Sequence, residues 1–279
     1  MKILITGASG QLGAALIATF QNDHDLLKIA GSSKLEGFIN VDLREASAVA
    51  DAVEAFQPDV VIHAAAYRDP DFCELNPEEA KRLNLDSVQY FLETLPAACR
   101  FVFISSDYVF SGNHPTYTEQ ADRNPVNYYG QLKKEAEDLV LQRGQGLVIR
   151  FPVLIADSVA GKQQGFMARM TDWATAEGER VIDDVGYRFP THIKDVAAAI
   201  LFLLEHNELG IYHVSSDCGG PCYTLVNEIA KRLGLSTDQI IPSTQADPKP
   251  GTRPINSQLS SQKLKALGFT QFSSYLDLI

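Results

Sequence analysis

The sequence predicts an α/β fold: a doubly wound parallel sheet with a smaller C-terminal α/β lobe. Three observations point to it. Short apolar runs alternate with helical stretches through the first half of the 279 residues. Those runs are nearly continuous instead of alternating with polar residues, as strands covered on both faces require. Between the first run and the first helical stretch lies Gly7-Ala8-Ser9-Gly10-Gln11-Leu12-Gly13, a glycine pattern in a strand–turn–helix setting.

Residues 2–6 read as a buried strand and residues 11–21 as the helix that follows. Gly7 permits the tight turn, Gly10 lets the backbone approach a pyrophosphate, and Gly13 allows the helix to pack close to the strand. Ser9, Gln11 and Leu12 complete the turn. The helix N-terminus offers N–H groups and a partial positive charge to phosphate. Glycine spacing alone is a weak signal, but in this setting it predicts a dinucleotide site of the Rossmann type. Further strands are expected at 26–30, 38–41, 59–64, 101–105 and 146–150, with helices at 45–56, 77–95 and 125–142.

A doubly wound sheet binds ligands at the carboxyl ends of its strands. Ala64-Ala65-Ala66, Ser105-Ser106 and Arg150-Phe151-Pro152 all fall at such ends, and so group into one site. The second strand ends in Gly31-Ser32-Ser33-Lys34. No carboxylate there repels a ribose 2′-phosphate, and Ser32, Ser33 and Lys34 offer two hydroxyls and a cation. This favours NADPH, with NADH as the alternative cofactor. Asp42, followed by Leu43, ends the third strand and is placed at the adenine edge. Ala64, Ala65, Ala66 and Arg68 extend the cofactor wall.

Beyond residue 155 the pattern loosens. Residues 156–190 look loop-rich, with one helix near 165–177. A strong helix is expected over 195–205, a strand over 210–214, an amphipathic helix over 223–233, an extended loop over 242–258 and a short helix over 260–267. The expected division is a dinucleotide-binding domain of residues 1–155 plus 191–214, and a substrate lobe of 156–190 plus 215–279.

Tyr129 and Lys133 stand four apart, on one face of a helix. An ammonium beside a phenol favours phenolate, which lowers the phenol pKa toward the range useful for proton transfer. Tyr128 points about 100° away and reads as a packing residue.

The formal net charge of −11 argues against a default affinity for nucleic acid or anionic membrane. The longest apolar run, Val196 to Leu204, is too short to cross a bilayer. Four cysteines show no framework spacing and six histidines no paired ligand spacing, so free thiols and no metal site are expected. His63, inside a strand, reads as a packed core residue. A first strand with no charged leader before it gives a cytoplasmic protein as the expectation.

These features together resemble the extended short-chain dehydrogenase/reductase superfamily. Ile104-Ser105-Ser106-Asp107-Tyr108-Val109-Phe110-Ser111-Gly112 and Pro125-Val126-Asn127-Tyr128-Tyr129-Gly130-Gln131-Leu132-Lys133 are similar to its dTDP-4-dehydrorhamnose reductase branch. So are Arg188-Phe189-Pro190-Thr191-His192-Ile193-Lys194-Asp195 and Arg253-Pro254-Ile255-Asn256-Ser257-Gln258-Leu259, and the likeness covers nearly the whole chain. Within the branch, Arg68-Asp69-Pro70-Asp71 and Arg188 to His192 look closer to the regulatory beta subunit of methionine adenosyltransferase.

The resemblance implies a triad of Ser106, Tyr129 and Lys133. Hydride from the nicotinamide C4 would attack a ketone carbon while Tyr129 protonates the oxygen and Ser106 hydrogen-bonds it. Lys133 would hold the nicotinamide ribose and keep the phenol pKa down. The implied substrate is a nucleotide sugar. Asp107 would face it, and Arg68, Arg188 and Arg253 would meet its pyrophosphate through their planar forks. The rhamnose reductases commonly carry a Trp three residues after the equivalent of Arg150, where this chain has Val153, so a stacking surface is lost. The 4,6-dehydratases carry Thr-Asp-Glu where this chain has Ser106-Asp107-Tyr108, so their second carboxylate is missing. The expected function is an NADPH-dependent 4-keto nucleotide-sugar reductase acting as a homodimer. The alternative is a non-catalytic NADP-binding regulatory subunit with a protein partner, and the third reading is an NAD-dependent nucleotide-sugar epimerase.

Overall fold

The structure, a computed structural model, describes residues 1–31, 35–158, 162–245 and 250–279. The first half runs β1 (Lys2–Thr6), α1 (Gln11–Phe20), β2 (Asp25–Ala30), β3 (Ile39–Asn40), α2 (Ala46–Phe56) and β4 (Val60–His63). Then come α3 (Pro70–Leu75), α4 (Pro77–Lys81), a π-helical turn (Arg82–Asp86), α5 (Ser87–Thr94) and β5 (Arg100–Ile104). A 3-10 turn (Asp107–Val109), α6 (Tyr128–Gln142), β6 (Gly146–Arg150) and β7 (Leu154–Ile155) follow. The remainder is α7 (Gly165–Thr175), β8 (Arg180–Asp183), β9 (Tyr187–Arg188), β10 (Thr191–His192), α8 (Ile193–Glu205) and β11 (Gly210–His213). It closes with β12 (Gly220–Pro221), α9 (Cys222–Arg232), β13 (Ile240–Ser243), α10 (Gln262–Ala266) and a second 3-10 turn (Tyr275–Leu278).

Seven strands form one parallel sheet in the order β11-β6-β5-β4-β1-β2-β3. Strand order reverses between β1 and β4, whose ends Thr6 and His63 stand in register. That is the switch point where such sheets open a crevice. Alternate residues of each strand feed opposite layers. Ile3 and Ile5 pack with Leu16, Phe20, Val196 and Ile200 beneath α1 and α8. Leu4 packs with Phe91, Phe101, Phe103, Ala136 and Val140 beneath α5 and α6. Both faces are therefore dry, which explains the unbroken apolar runs. A third apolar cluster joins Ile155, Phe166, Met170, Ile182, Val226, Ile229, Ile240 and Tyr275 at the carboxyl edge.

Three expectations change. The helix expected over 77–95 is interrupted by the π turn, whose Asn84 side chain is turned to other work described below. Helix α3 precedes it, begun by Asp69, whose carboxylate caps the Asp71 N–H, and by Pro70 at the first helical position. The loop-rich readings of 156–190 and 242–258 conceal short strands, of which β8 and β13 pair in parallel. Runs of two to four residues carry too little periodicity to stand out in a sequence. Among the described residues no helix is long and apolar enough to cross a membrane.

Candidate active site

A cavity of about 1040 Å³ opens over the carboxyl ends of the central strands. One wall is the first turn: Gly7, Ser9, Gly10, Gln11, Leu12 and Gly13 all line it. Gly7 has φ +64°, and a Cβ there would stand 2.8 Å from the Ala65 nitrogen. A Cβ on Gly13 would fall 2.4 Å from the Gly7 oxygen. Only glycine lets the strand end, the turn and α1 close this tightly. Among the described residues no side chain caps α1 at Gly10, so its first N–H groups face the cavity free for an anion.

Opposite the turn, Thr6 Oγ1 accepts N–H bonds from Ala64 and Ala65, each 3.1 Å. Asn84 bonds both the N–H and the carbonyl of Tyr67 at 2.8 Å. The π turn thus ties down the segment in which Ala64, Ala65, Ala66, Tyr67 and the exposed Arg68 line the cavity. His63 lies beneath, buried, bonded to Thr6 Oγ1 at 3.2 Å and Ser87 Oγ at 3.3 Å. Burial pushes it down to about 3, so it is a neutral core imidazole.

At the far end, Asp42 and Leu43 line the wall with Arg44. Arg44 grips the Asp42 carboxylate through Nε and Nη2, both 2.8 Å, and reaches Glu79 at 2.7 Å. This grip holds the Asp42 carboxyl at about 2. Arg44 was not anticipated; a cation two residues after the adenine-edge acid was the available signal. Ser32, Ser33 and Lys34, the expected 2′-phosphate contacts, lie outside the described residues.

Ser106, Tyr129 and Lys133 meet on the remaining wall, all three buried. Asn127 caps α6 by accepting the Gly130 N–H at 2.8 Å, which starts the helix at Tyr128, later than residue 125. The Tyr129 phenol is hydrogen-bonded with Ser106. Ser106 Oγ donates to Asp107 Oδ1 at 3.1 Å and accepts the Tyr108 N–H at 3.2 Å. The second Asp107 oxygen accepts from Ser257. Lys133 Nζ donates to the Ile104 carbonyl at 2.8 Å and lies 5.8 Å from the centre of the Tyr129 ring.

The electrostatics differ from the expectation that Lys133 lowers the phenol. Burial raises Tyr129 well above its ordinary value, only partly offset by the Ser106 bond. Burial also pushes Lys133 down to about 8, against the pull of Glu137. The Lys133 ammonium donates to the Ile104 carbonyl and not to the phenol, and burial of the ring dominates the phenol's acidity. The phenol is therefore protonated at neutral pH, which is the form a proton donor requires. Burial raises Asp107 to about 6.

Lysine 133 yields a stability prediction. Its folded pKa lies below the unfolded 10.5, so at pH 7 both states are charged and only the folded charge is desolvated. As pH rises through about 8 the folded lysine loses its proton while the unfolded one keeps it. Wild type should therefore gain on Lys133→Met by about 1.4 kcal/mol per pH unit between pH 8 and 10. Urea unfolding of both proteins across that range measures it. A constant difference would mean that this ammonium is not desolvated.

Of the expected substrate contacts, Asp107, Val153 and Arg188 line the cavity. Arg188 Nη1 donates to its neighbour's carbonyl at Tyr187, 2.6 Å away. Arg253 is not on the wall. Its guanidinium pairs with Asp71, at 2.9 Å for Nη2, so its planar fork is occupied. Helix α7 instead supplies Gly165, Phe166 and Arg169, which the sequence reading missed. Arg169 sits 5.4 Å from the Phe166 ring and 5.5 Å from the Trp173 ring. Tyr128 does not line the cavity and packs, partly buried, near Tyr129.

A glycine turn at a switch point, joined through one cavity to a buried Ser–Tyr–Lys set, is the arrangement of a short-chain dehydrogenase/reductase. The chain belongs to the RmlD substrate binding domain family, whose model matches residues 1–278. It is 34% identical over 279 residues to the methionine adenosyltransferase 2 subunit beta of Bos taurus, covering 97% of this chain and 83% of that protein. It is 30% identical to the spore coat polysaccharide biosynthesis protein SpsK of Bacillus subtilis (strain 168), covering 96% and 92%. A hypothetical dTDP-4-dehydrorhamnose reductase from Sulfolobus tokodaii has a similar structure, with TM-score 0.89, 31% identity and coverage of 99% and 98%.

Proposed function

We propose that this protein is an NADPH-dependent reductase of a 4-keto nucleotide sugar. The observation that carries the reading is the buried Tyr129 phenol beside Ser106 and Lys133, in the same cavity as the glycine turn. The glycine turn and the α1 N-terminus would hold the cofactor pyrophosphate, Tyr129 and Lys133 its nicotinamide half, and Asp42 its adenosine. The bound cofactor supplies a hydride to the ketone carbon. Tyr129 gives its proton to the ketone oxygen, and Ser106 steadies that oxygen as charge develops. Lys133 holds the nicotinamide ribose. Arg68, Arg169 and Arg188 line the same cavity in a chain of net charge −11, which suits a substrate diphosphate. Val153 leaves one side of the sugar without an aromatic platform.

The second reading is a cofactor-binding regulatory subunit. It is favoured by the 34% identity to methionine adenosyltransferase 2 subunit beta along 97% of this chain. One experiment separates the two. The purified protein is mixed with NADPH and dTDP-4-dehydrorhamnose, and absorbance at the nicotinamide band is followed. Oxidation of NADPH that depends on the sugar supports the reductase. Tight NADPH binding without turnover, together with a stable complex with a methionine adenosyltransferase catalytic subunit, would overturn it.

A further inference from the structure

Behind the cavity wall lies a buried ionic cluster that the reaction as described does not use. Helix α6 carries Tyr129, Lys133 and Glu137 at four-residue intervals, on one face. The Glu137 side chain is wholly buried. Its Oε1 accepts from Ser105 Oγ at 2.5 Å and from Arg150 Nε at 2.8 Å. Its Oε2 accepts from Arg150 Nη2 at 2.6 Å and from Arg123 Nη1 at 3.0 Å. All four acceptor sites of one carboxylate are thus filled. Arg150 is in turn set against the Phe110 ring, the Glu119 carbonyl and His213 Nε2. Arg123 reaches out to Asp138 near the surface.

A pair holding only β6 to α6 would need Arg150 and Glu137 alone. Here the carboxylate also takes the hydroxyl of Ser105, which lines the cavity beside Ser106. Lys133, one turn up the helix, lies over the Phe103 and Tyr129 rings and donates to the Ile104 carbonyl, with His63 and Cys73 within the range of its charge. None of these carries a negative charge at neutral pH: burial raises the Cys73 thiol to about 11. Glu137 is the carboxylate whose field opposes the desolvation of this ammonium.

We propose that Glu137 is a positioning residue of the active site: through Ser105 and through its field on Lys133 it holds the cavity wall that carries Tyr129 and Lys133 in its working, cationic arrangement. The proposal rests on the reading of Lys133 as the cofactor-holding cation. It adds a group that touches neither cofactor nor substrate.

The test reads Lys133 directly. Lysine residues are labelled with 13C at the ε carbon, the Lys133 signal is assigned by its loss in Lys133→Met, and its titration is followed from pH 6 to 11. Glu137→Gln keeps the shape and removes the charge, so the Lys133 midpoint should fall by about one pH unit. Arg123→Gln removes a competing cation at the partly exposed end of the cluster, so the midpoint should rise by roughly half a unit. In parallel, the alkaline limb of NADPH affinity should move in the same two directions. An unmoved Lys133 midpoint in folded Glu137→Gln overturns the proposal, whatever its melting temperature. If that variant does not fold, an unmoved midpoint in Arg123→Gln overturns it. Failure of the wild type to bind NADPH would sink the cofactor reading and leave the lysine titration to decide on Glu137.

Discussion

Replacing Tyr129 by phenylalanine should lower turnover of the 4-keto sugar by about 10²–10⁴-fold, the range for removing a positioned general acid. The ring is buried and stands edge-on to Tyr108 at 5.9 Å, a contact that phenylalanine keeps. Ser106 loses one partner but keeps the Tyr108 N–H and Asp107. Folding and NADPH affinity should therefore stay close to wild type, and the loss should fall in kcat. Single-turnover oxidation of NADPH by the variant measures the chemical step. A variant that reduces its ketone at the wild-type rate would remove Tyr129 from the mechanism. The same variant should still bind a protein partner fully if the chain serves as a regulatory subunit.

The pH profile carries a second signature of this site. Because burial raises the phenol, no loss of the acid form is expected across the neutral range. Asp107, held near 6, titrates closer to working conditions. Above that pH its carboxylate accepts the hydrogen bond that Ser106 Oγ donates at 3.1 Å. The hydroxyl that is to steady the substrate oxygen must turn away from Asp107 when substrate binds.

The parts of the molecule legible from sequence are those where one physical need dominates a run of residues. Strands buried on both faces wrote themselves as apolar runs. The turn between β1 and α1 was legible because its clashes leave glycine as the residue that fits at positions 7 and 13. Tyr129 and Lys133 were legible because helical spacing places them on one face. What escaped depends on partners distant in sequence. Arg253 looked free for phosphate, but Asp71, 182 residues away, takes its fork. Arg169 lies in the helix expected near 165–177, with no mark in the sequence of a cavity beyond it. The expectation of a lowered phenol pKa rests on two residues alone. Burial by the whole fold outweighs that pair, and burial is not visible in a spacing of four.

Gly130 shows how a residue without chemistry of its own sets the distance on which the chemistry rests, and Gly130→Ala should damage both fold and turnover. Gly130 lies in the first turn of α6, directly after Tyr129. A Cβ there would stand 2.1 Å from the Tyr108 carbonyl oxygen and 3.0 Å from Pro125 Cβ. The first of these is backbone in the 3-10 turn that follows Ser106, so it cannot swing aside as a side chain would. In an isolated helix, alanine would be favoured over glycine by about 1 kcal/mol. Here helix and turn must separate by more than ~1 Å, and overpacking of that kind costs about 1–3 kcal/mol or more. The clash wins, and the melting temperature should fall. The separation also draws the Tyr129 phenol away from Ser106, and a displacement near 1 Å can cost about 10²-fold in rate. Thermal unfolding and kcat measured on the same preparation test both parts. A variant with a raised melting temperature and full turnover would mean that α6 and the Ser106 turn do not approach this closely, and that something other than backbone contact brings the phenol to the serine.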